Sequence, residues 1–336
     1  MTIKLGIIGA GRIGRLHANT LTTRVTGAEL VAVADIFEDA AKAAAADYRV
    51  PHFTADPSEV IHSSDIDAVV ICSSTDTHCR FIIEAARAGK QIFCEKPIAF
   101  DLAEIDEALA AAAEAGVQLQ IGFNRRFDAN HARLKRAIDG GEIGEAHMMM
   151  IISRDPSPPP LDYIKVSGGL MMDMMIHDFD MARFLLGEVE EIFALGDVKI
   201  DPAIGEAGDI DTAKVMLRFA NGVFGTIENS RQAVYGYDQR VEVFGSKGAA
   251  ATGNWHPNAV TISDAASVRR DLPLHFFVER YFESYVTEMI DFVDAISNGK
   301  RVPVVGNDGR APVLMAMAGM RSMTENRPVR LDEIEG

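Results

Sequence analysis

A chain of 336 residues exceeds what a single hydrophobic core ordinarily serves, so its length predicts two domains, each large enough to fold without disulfide or metal support. The 49 acidic and 33 basic residues leave a formal charge of -16, which disfavours nucleic acid and anionic membrane surfaces and points to a small-molecule partner. No apolar run of about 18 residues and no secretion-type leader stands in the sequence, which predicts a cytoplasmic protein with no membrane span. Cys72, Cys79 and Cys94 lack a second cluster and read as buried free thiols.

In chain order, Ile3 to Ile8 is a short apolar strand, a glycine turn follows, Arg15 to Thr22 reads as a helix, and Glu29 to Ala34 is a second apolar strand. The alternation continues with helices over Glu38 to Asp47, His78 to Ala88 and Leu102 to Ala115, and strands at Ala68 to Ile71, Gln91 to Cys94 and Gln118 to Ile121. Strand and helix taken in turn predict a doubly wound parallel sheet, a Rossmann domain over residues 1–122. Beyond Gly122 the texture changes. A helix from Ala129 to Ile138 leads into longer strands at Ala146 to Ser153, Glu190 to Val198, Thr212 to Phe219 and Val223 to Ser230, the last two joined by the hairpin signal Ala220-Asn221-Gly222. Residues 123–336 therefore read as an α+β domain with a large, mostly antiparallel open sheet, ending in helices over Tyr281 to Ser297 and Ala311 to Met323. Pro156 to Pro160 is a stiff loop that cannot join a ladder.

Gly9-Ala10-Gly11-Arg12-Ile13-Gly14 is a G-x-G-x-x-G sequence that follows a strand and opens a helix, which is the context a dinucleotide fingerprint requires. Gly9 permits the turn, Gly11 lets the backbone approach a pyrophosphate, and Gly14 lets helix and strand pack closely. The helix headed by Arg12 and Ile13 offers its first N–H groups to the phosphates. Asp35 closes the second strand about 20 residues further on, where a carboxylate accepts from both adenosine ribose hydroxyls or caps the helix beginning near Glu38. Ile36 and Phe37 follow in place of an arginine, which predicts NAD over NADP. Ser73, Ser74 and Thr75 lie after the fourth strand, at the carboxyl end of the sheet, and either touch the cofactor or cap the helix containing His78. Glu95 and His78 complete the expected cofactor-binding set.

With that fingerprint, Cys94-Glu95-Lys96-Pro97 and Gly168-Gly169 followed by Asp173, His177 and Asp180 resemble the glucose-fructose oxidoreductase, inositol dehydrogenase and MocA family over nearly the whole chain. The resemblance implies a Lys96, Asp173 and His177 catalytic set. The chemistry agrees, since oxidising a secondary alcohol needs a base titrating near neutrality, and His177 supplies one. Asp173, four residues earlier, would lie on the same helix face and orient the imidazole, unless the two form only a solvated ion pair. Lys96, at a strand end and followed by proline, can stabilise developing alkoxide charge.

Gly122 to Asp128 and Tyr235 to Asp238 look like the inositol dehydrogenase branch, which implies substrate contacts for Asn124, Arg125, Tyr235 and Tyr237, with Asp155 near a further one. Arg126 pairs with an acidic neighbour on the plainer reading, one of the two tyrosines packs in the sheet, and Asp180 either holds a substrate hydroxyl or orients its helix. The methionine clusters Met148 to Met150 and Met171 to Met175 read as core filling, and no metal is expected. The expected activity is NAD-dependent oxidation of an inositol to a 2-keto inosose by a homotetramer. The rivals are another sugar or polyol dehydrogenase of the family and a catalytically silent NAD-binding sensor.

Overall fold

A computed structural model describes residues 2–335. The chain forms two compact units: residues up to Phe127 together with Glu283–Val313, and Asp128–Phe282 together with the residues from Leu314 onward. One boundary near residue 122 was expected, whereas the chain passes between the units at three points. The reason lies in the first unit's core, which takes in Met289, Phe292, Val293 and Ala295 of the helix Phe277–Ser297, and Val302 beyond it. Burying each of the larger side chains, Met289, Phe292, Val293 and Val302, contributes roughly 1.5–3 kcal/mol, so the late segment belongs energetically to the early sheet.

The first unit is a six-stranded parallel sheet of order β3-β2-β1-β4-β5-β6, with β1 Ile3–Ile8, β2 Ala28–Ala34, β3 His52–Thr54, β4 Ala68–Ile71, β5 Gln91–Glu95 and β6 Leu119–Gly122. Its strands read as near-continuous apolar runs because helices cover both faces; all four residues of β4 are buried. The helices carry local start and stop signals. Asp101 accepts from the N–H groups of Ala103 and Glu104 to cap Leu102–Ala115, which ends on Gly116 at φ +66°.

The second unit is built on a seven-stranded sheet of order β12-β11-β7-β10-β9-β8-β15. Its strands are β7 Ala146–Arg154, β8 Val189–Asp197, β9 Thr212–Phe219, β10 Phe224–Ser230, β11 Asp238–Gly245, β12 Gly248–Thr252 and β15 Val329–Arg330. Only β7 and β10 pair in parallel; every other neighbour pair is antiparallel. A separate exposed hairpin joins β13 Thr261–Ser263 to β14 Val268–Arg270. One face of the large sheet is buried and the other is open, and strand alternation splits the first methionine cluster between them. Met149 is buried, while Met148 and Met150 are exposed and so do not fill the core. Met171, Met172, Met174 and Met175 are buried, as expected. Within this unit Arg280 donates two hydrogen bonds to Asp128 at 2.6 and 3.2 Å, both residues being buried, and its guanidinium lies over the rings of Trp255 and Tyr281. No helix among the described residues is long and apolar enough to cross a membrane.

Candidate active site

The glycine turn follows β1 directly. Gly9 has φ +101°, and a Cβ there would lie 2.6 Å from the Cys72 and Ser73 backbone; one at Gly14 would lie 1.8 Å from the Gly9 carbonyl oxygen. Gly11 differs, because a Cβ there would meet nothing within 4 Å. It heads the helix Arg12–Thr23, whose first N–H groups receive no side-chain cap. A glycine with open space above it, beside uncapped N–H donors at a helix start, is a cradle for an anion. Arg12 is exposed and Ile13 half-buried at the mouth of that cradle.

Asp35 lies just past β2. Its Oδ2 accepts from the Ala10 N–H at 2.7 Å and its Oδ1 from the Phe37 N–H at 2.9 Å. The helix Glu38–Tyr48 is capped at Phe37 without a side-chain bond, so Asp35 is not its N-cap. The carboxylate instead fastens the glycine turn to the second strand, and each oxygen keeps acceptor capacity for a ribose hydroxyl. Together, open turn, uncapped helix and acceptor fit a dinucleotide.

Ser73, Ser74 and Thr75 follow β4 and are at least partly exposed. The Ser73 hydroxyl bonds that of Thr77 at 2.7 Å, and the helix His78–Arg87 has no side-chain cap, which removes the capping alternative. His78 presents no outward ring nitrogen. It is 2% exposed, with Nδ1 2.8 Å from the Pro97 carbonyl and Nε2 3.1 Å from the Ser73 carbonyl, so it ties the loops after β4 and β5 together. Burial lowers its proton affinity against the opposing pull of those two carbonyls.

Lys96 comes immediately after β5 and is the only residue between Ile92 and Ala99 that is not buried. Its peptide bond to Pro97 is cis. Beside it, Glu95 is buried with Oε1 2.7 Å from His17 Nε2, and these groups and Glu288 bring their side-chain donor atoms within 4.8 Å of one another. No sequence pattern announces that cluster, since Glu95 lies 78 positions from His17 and Glu288 further still. Burial pushes the Cys94 thiol up, and Glu95 adds to the effect; burial pushes Cys79 up to about 12. These thiols stay protonated and unreactive.

In the second unit, Asp173 ends the short helix Gly169–Asp173 and His177 lies in the first turn of Ile176–Leu186. The single helix expected to carry both is interrupted at Met174 and Met175, whose N–H groups both donate to the Leu170 carbonyl. Their side chains are buried, which tightens the chain there. Across Met171 to Asp180, Asp173 and His177 are the only two residues not buried. Asp173 Oδ1 accepts from the Tyr163 hydroxyl at 2.8 Å, and its Oδ2 accepts from Arg231 at 3.3 Å. Neither partner was anticipated. Tyr163 lies beyond the proline loop and Arg231 is 58 positions away from Asp173, so no local pattern announces them.

The expected substrate residues divide. Asn124 is buried and donates to the Ser284 hydroxyl at 3.1 Å, and Arg125 is buried. Arg126 pairs with Asp308 at 3.2 Å, the plainer reading. Asp180 is fully buried. Tyr237 is the tyrosine that packs, edge-on to Tyr281, whereas Tyr235 is exposed with its hydroxyl donating to Asp238 at 2.7 Å and accepting from Arg154 at 2.9 Å. Burial pushes Asp238 up, but hydrogen bonds from Arg240, Tyr235 and Asn254 outweigh it and hold the carboxyl below its usual range. Asp155 is half-buried, its N–H donating to Ser230 and its carbonyl accepting from Ala233.

Residues 3–123 match the oxidoreductase family with NAD-binding Rossmann fold, and residues 131–251 match the GFO/IDH/MocA C-terminal domain. The chain is 49% identical over 333 residues to the inositol 2-dehydrogenase of Rhizobium meliloti, covering 98% of this chain and 100% of the relative. It is 47% identical over 335 residues to the myo-inositol 2-dehydrogenase of Thermotoga maritima, covering 99% and 100%. The crystal structure of scyllo-inositol dehydrogenase from Lactobacillus casei with bound NAD(H) and scyllo-inositol matches at a TM-score of 0.93 and 29% identity, covering 99% of this chain and 100% of that one. A glycine turn with Asp35 fastened beside it, and matches spanning both units, lead to one conclusion: the chain belongs to the GFO/IDH/MocA family and is an NAD-dependent oxidoreductase acting on CH–OH groups.

Proposed function

We propose that this enzyme oxidises myo-inositol, or a close stereoisomer, to the 2-keto inosose. The observation that carries the reading is the selective exposure of three groups. Lys96 in one buried run, and Asp173 and His177 in another, are the side chains left accessible where everything around them is core. Ionisable groups kept at the edge of apolar segments need a reason, and proton transfer supplies one. The inositol dehydrogenases of Rhizobium meliloti and Thermotoga maritima, related over their full lengths, indicate the substrate class.

Bound NAD would accept the hydride that leaves the carbinol carbon. The Lys96 ammonium donates a hydrogen bond to the carbinol oxygen and stabilises the negative charge developing there. His177 takes the hydroxyl proton, and the Asp173 carboxylate holds the imidazole in position and favours its protonated form. Loss of one proton and one hydride from the same alcohol leaves the ketone. Gly11 and the helix start at Arg12 would hold the pyrophosphate, and Asp35 the ribose.

The enzyme acts in the cytoplasm as a homotetramer on this reading. The open sheet face supports assembly, because strand pairing aligns Phe244, Met148 and Phe224 in one exposed row and Met150 and Met216 in the next. Sedimentation of the wild type against Met216→Glu tests this: the wild type should run as a tetramer and the variant as a dimer or monomer, and a variant that stays tetrameric would place the assembly on another face. The activity itself is tested by presenting inositol stereoisomers and aldoses with NAD and following NADH absorbance. Turnover of an inositol is expected to exceed that of every aldose. Preference for an aldose would move the assignment to a sugar dehydrogenase, and NAD binding with no turnover on any polyol would leave a sensor.

A further inference from the structure

Arg231 follows β10 and is fully buried, among the largest side chains in the molecule to be so. A guanidinium keeps its charge at any pH a folded protein meets, so it must be matched by anions where it lies. Two carboxylates do this. Asp209 Oδ2 accepts from Nη2 at 3.4 Å and Asp173 Oδ2 from Nη1 at 3.3 Å. Asp209 is itself immobilised, since its Oδ1 accepts from the Leu170 N–H at 2.9 Å and a Cβ on Gly169 would lie 2.6 Å from the same oxygen. Gly169 therefore leaves room for Asp209, and Asp209 gives Arg231 a fixed wall from which it reaches Asp173.

Both contacts are long, and Arg231 Nε is buried without a hydrogen-bond acceptor. A guanidinium selected for stability alone would be better satisfied. What the arrangement does achieve is to hold Asp173 from both sides, with Arg231 on one oxygen and the Tyr163 hydroxyl at 2.8 Å on the other. We propose that Arg231 is a positioning residue: it holds the Asp173 carboxylate in one orientation, with Tyr163 as the second tether, so that the His177 segment is ready for proton transfer. Arg231 touches no substrate and acts through Asp173. The proposal rests on the dehydrogenase reading above for its kinetic arm only.

The test uses full-length Arg231→Gln and Arg231→Lys proteins, with kinetics on the inositol that the wild type turns over and crystal structures of both variants. For Arg231→Gln, kcat should fall about 100-fold, with the inositol KM moving less than about threefold and NAD affinity unchanged, the pattern of a misplaced acid-base group. Arg231→Lys, which keeps the charge but not the fork, should recover activity to about tenfold below wild type. In the Gln variant the bond between Asp173 and Tyr163 should be broken. A folded Gln variant with Asp173 still on Tyr163, or with kcat within about threefold of wild type, overturns the proposal. If the Gln variant does not fold, the Lys variant decides: unchanged kcat overturns the proposal, and a fall in kcat at constant KM upholds it. Should the wild type oxidise no inositol, the functional reading falls, and the position of Asp173 in the variant crystals still decides the role of Arg231.

Discussion

The two units of this enzyme hold their polar groups in opposite ways. In the six-stranded unit the binding elements are backbone: a glycine turn, an uncapped helix start, and Asp35 fastened to residues 25 positions before it and two after it. In the seven-stranded unit the segment proposed to be catalytic depends on side chains gathered from distant elements. Asp178, next to His177, accepts from Ser153 of β7 at 2.6 Å and Asn229 of β10 at 2.8 Å, while Asp173 is gripped from Tyr163 and Arg231. A backbone cradle accepts a cofactor shared by many enzymes, whereas a side-chain lattice can be re-tuned residue by residue for one substrate. The difference separates what is generic in the protein from what is particular to it.

The sharpest way to break this comparison is to remove one proposed catalytic group from each unit. Lys96→Ala and His177→Ala should each lower kcat by roughly 10²- to 10⁴-fold while leaving NAD affinity intact. Steady-state turnover and NAD titration check this together, and near-normal turnover in both variants would remove the assignment.

A smaller effect is expected from paired glycine changes, which ask whether the cradle is built for shape or for stability. Gly14→Ala places a methyl 1.8 Å from the Gly9 carbonyl, so it should cost about 1–3 kcal/mol or more and lower the melting temperature. Gly11→Ala meets nothing within 4 Å and should melt with the wild type while binding NAD at least about tenfold more weakly, because the methyl occupies the approach of the pyrophosphate. Equal melting temperatures, or equal NAD affinities, for the two variants would contradict the distinction.

The smallest effect concerns the Asp128 and Arg280 pair of the second unit. Burial raises the Asp128 carboxyl, but the hydrogen bond from Arg280 and the nearby His131 charge prevail, so the folded value lies below the usual 3.8. A depressed folded pKa contributes stability that is fully present above 3.8 and is lost as pH falls through the folded value. Asp128→Asn should therefore lower the urea midpoint near neutrality by an amount equivalent to about 1 kcal/mol, and the gap from wild type should narrow below pH 3.8. A gap that is constant with pH would mean that the pair contributes through packing alone.

What the sequence determined by itself is the part governed by short-range rules. Alternating apolar runs and helical periods, the glycine fingerprint after β1, Asp35 after β2, and Lys96 at the end of β5 each express a constraint within one or two neighbouring elements, so they are visible without a fold. The tertiary structure decided the rest. It broke the expected Asp173 to His177 helix in two, buried Asn124, Arg125 and Asp180, turned Met148 and Met150 outward, drew residues 283–313 into the first core, and brought Arg231 to Asp173. Buried charges find their partners where distant elements pack together, 58 or 78 positions apart for Arg231 and Glu95, and no local periodicity records a contact made at that separation.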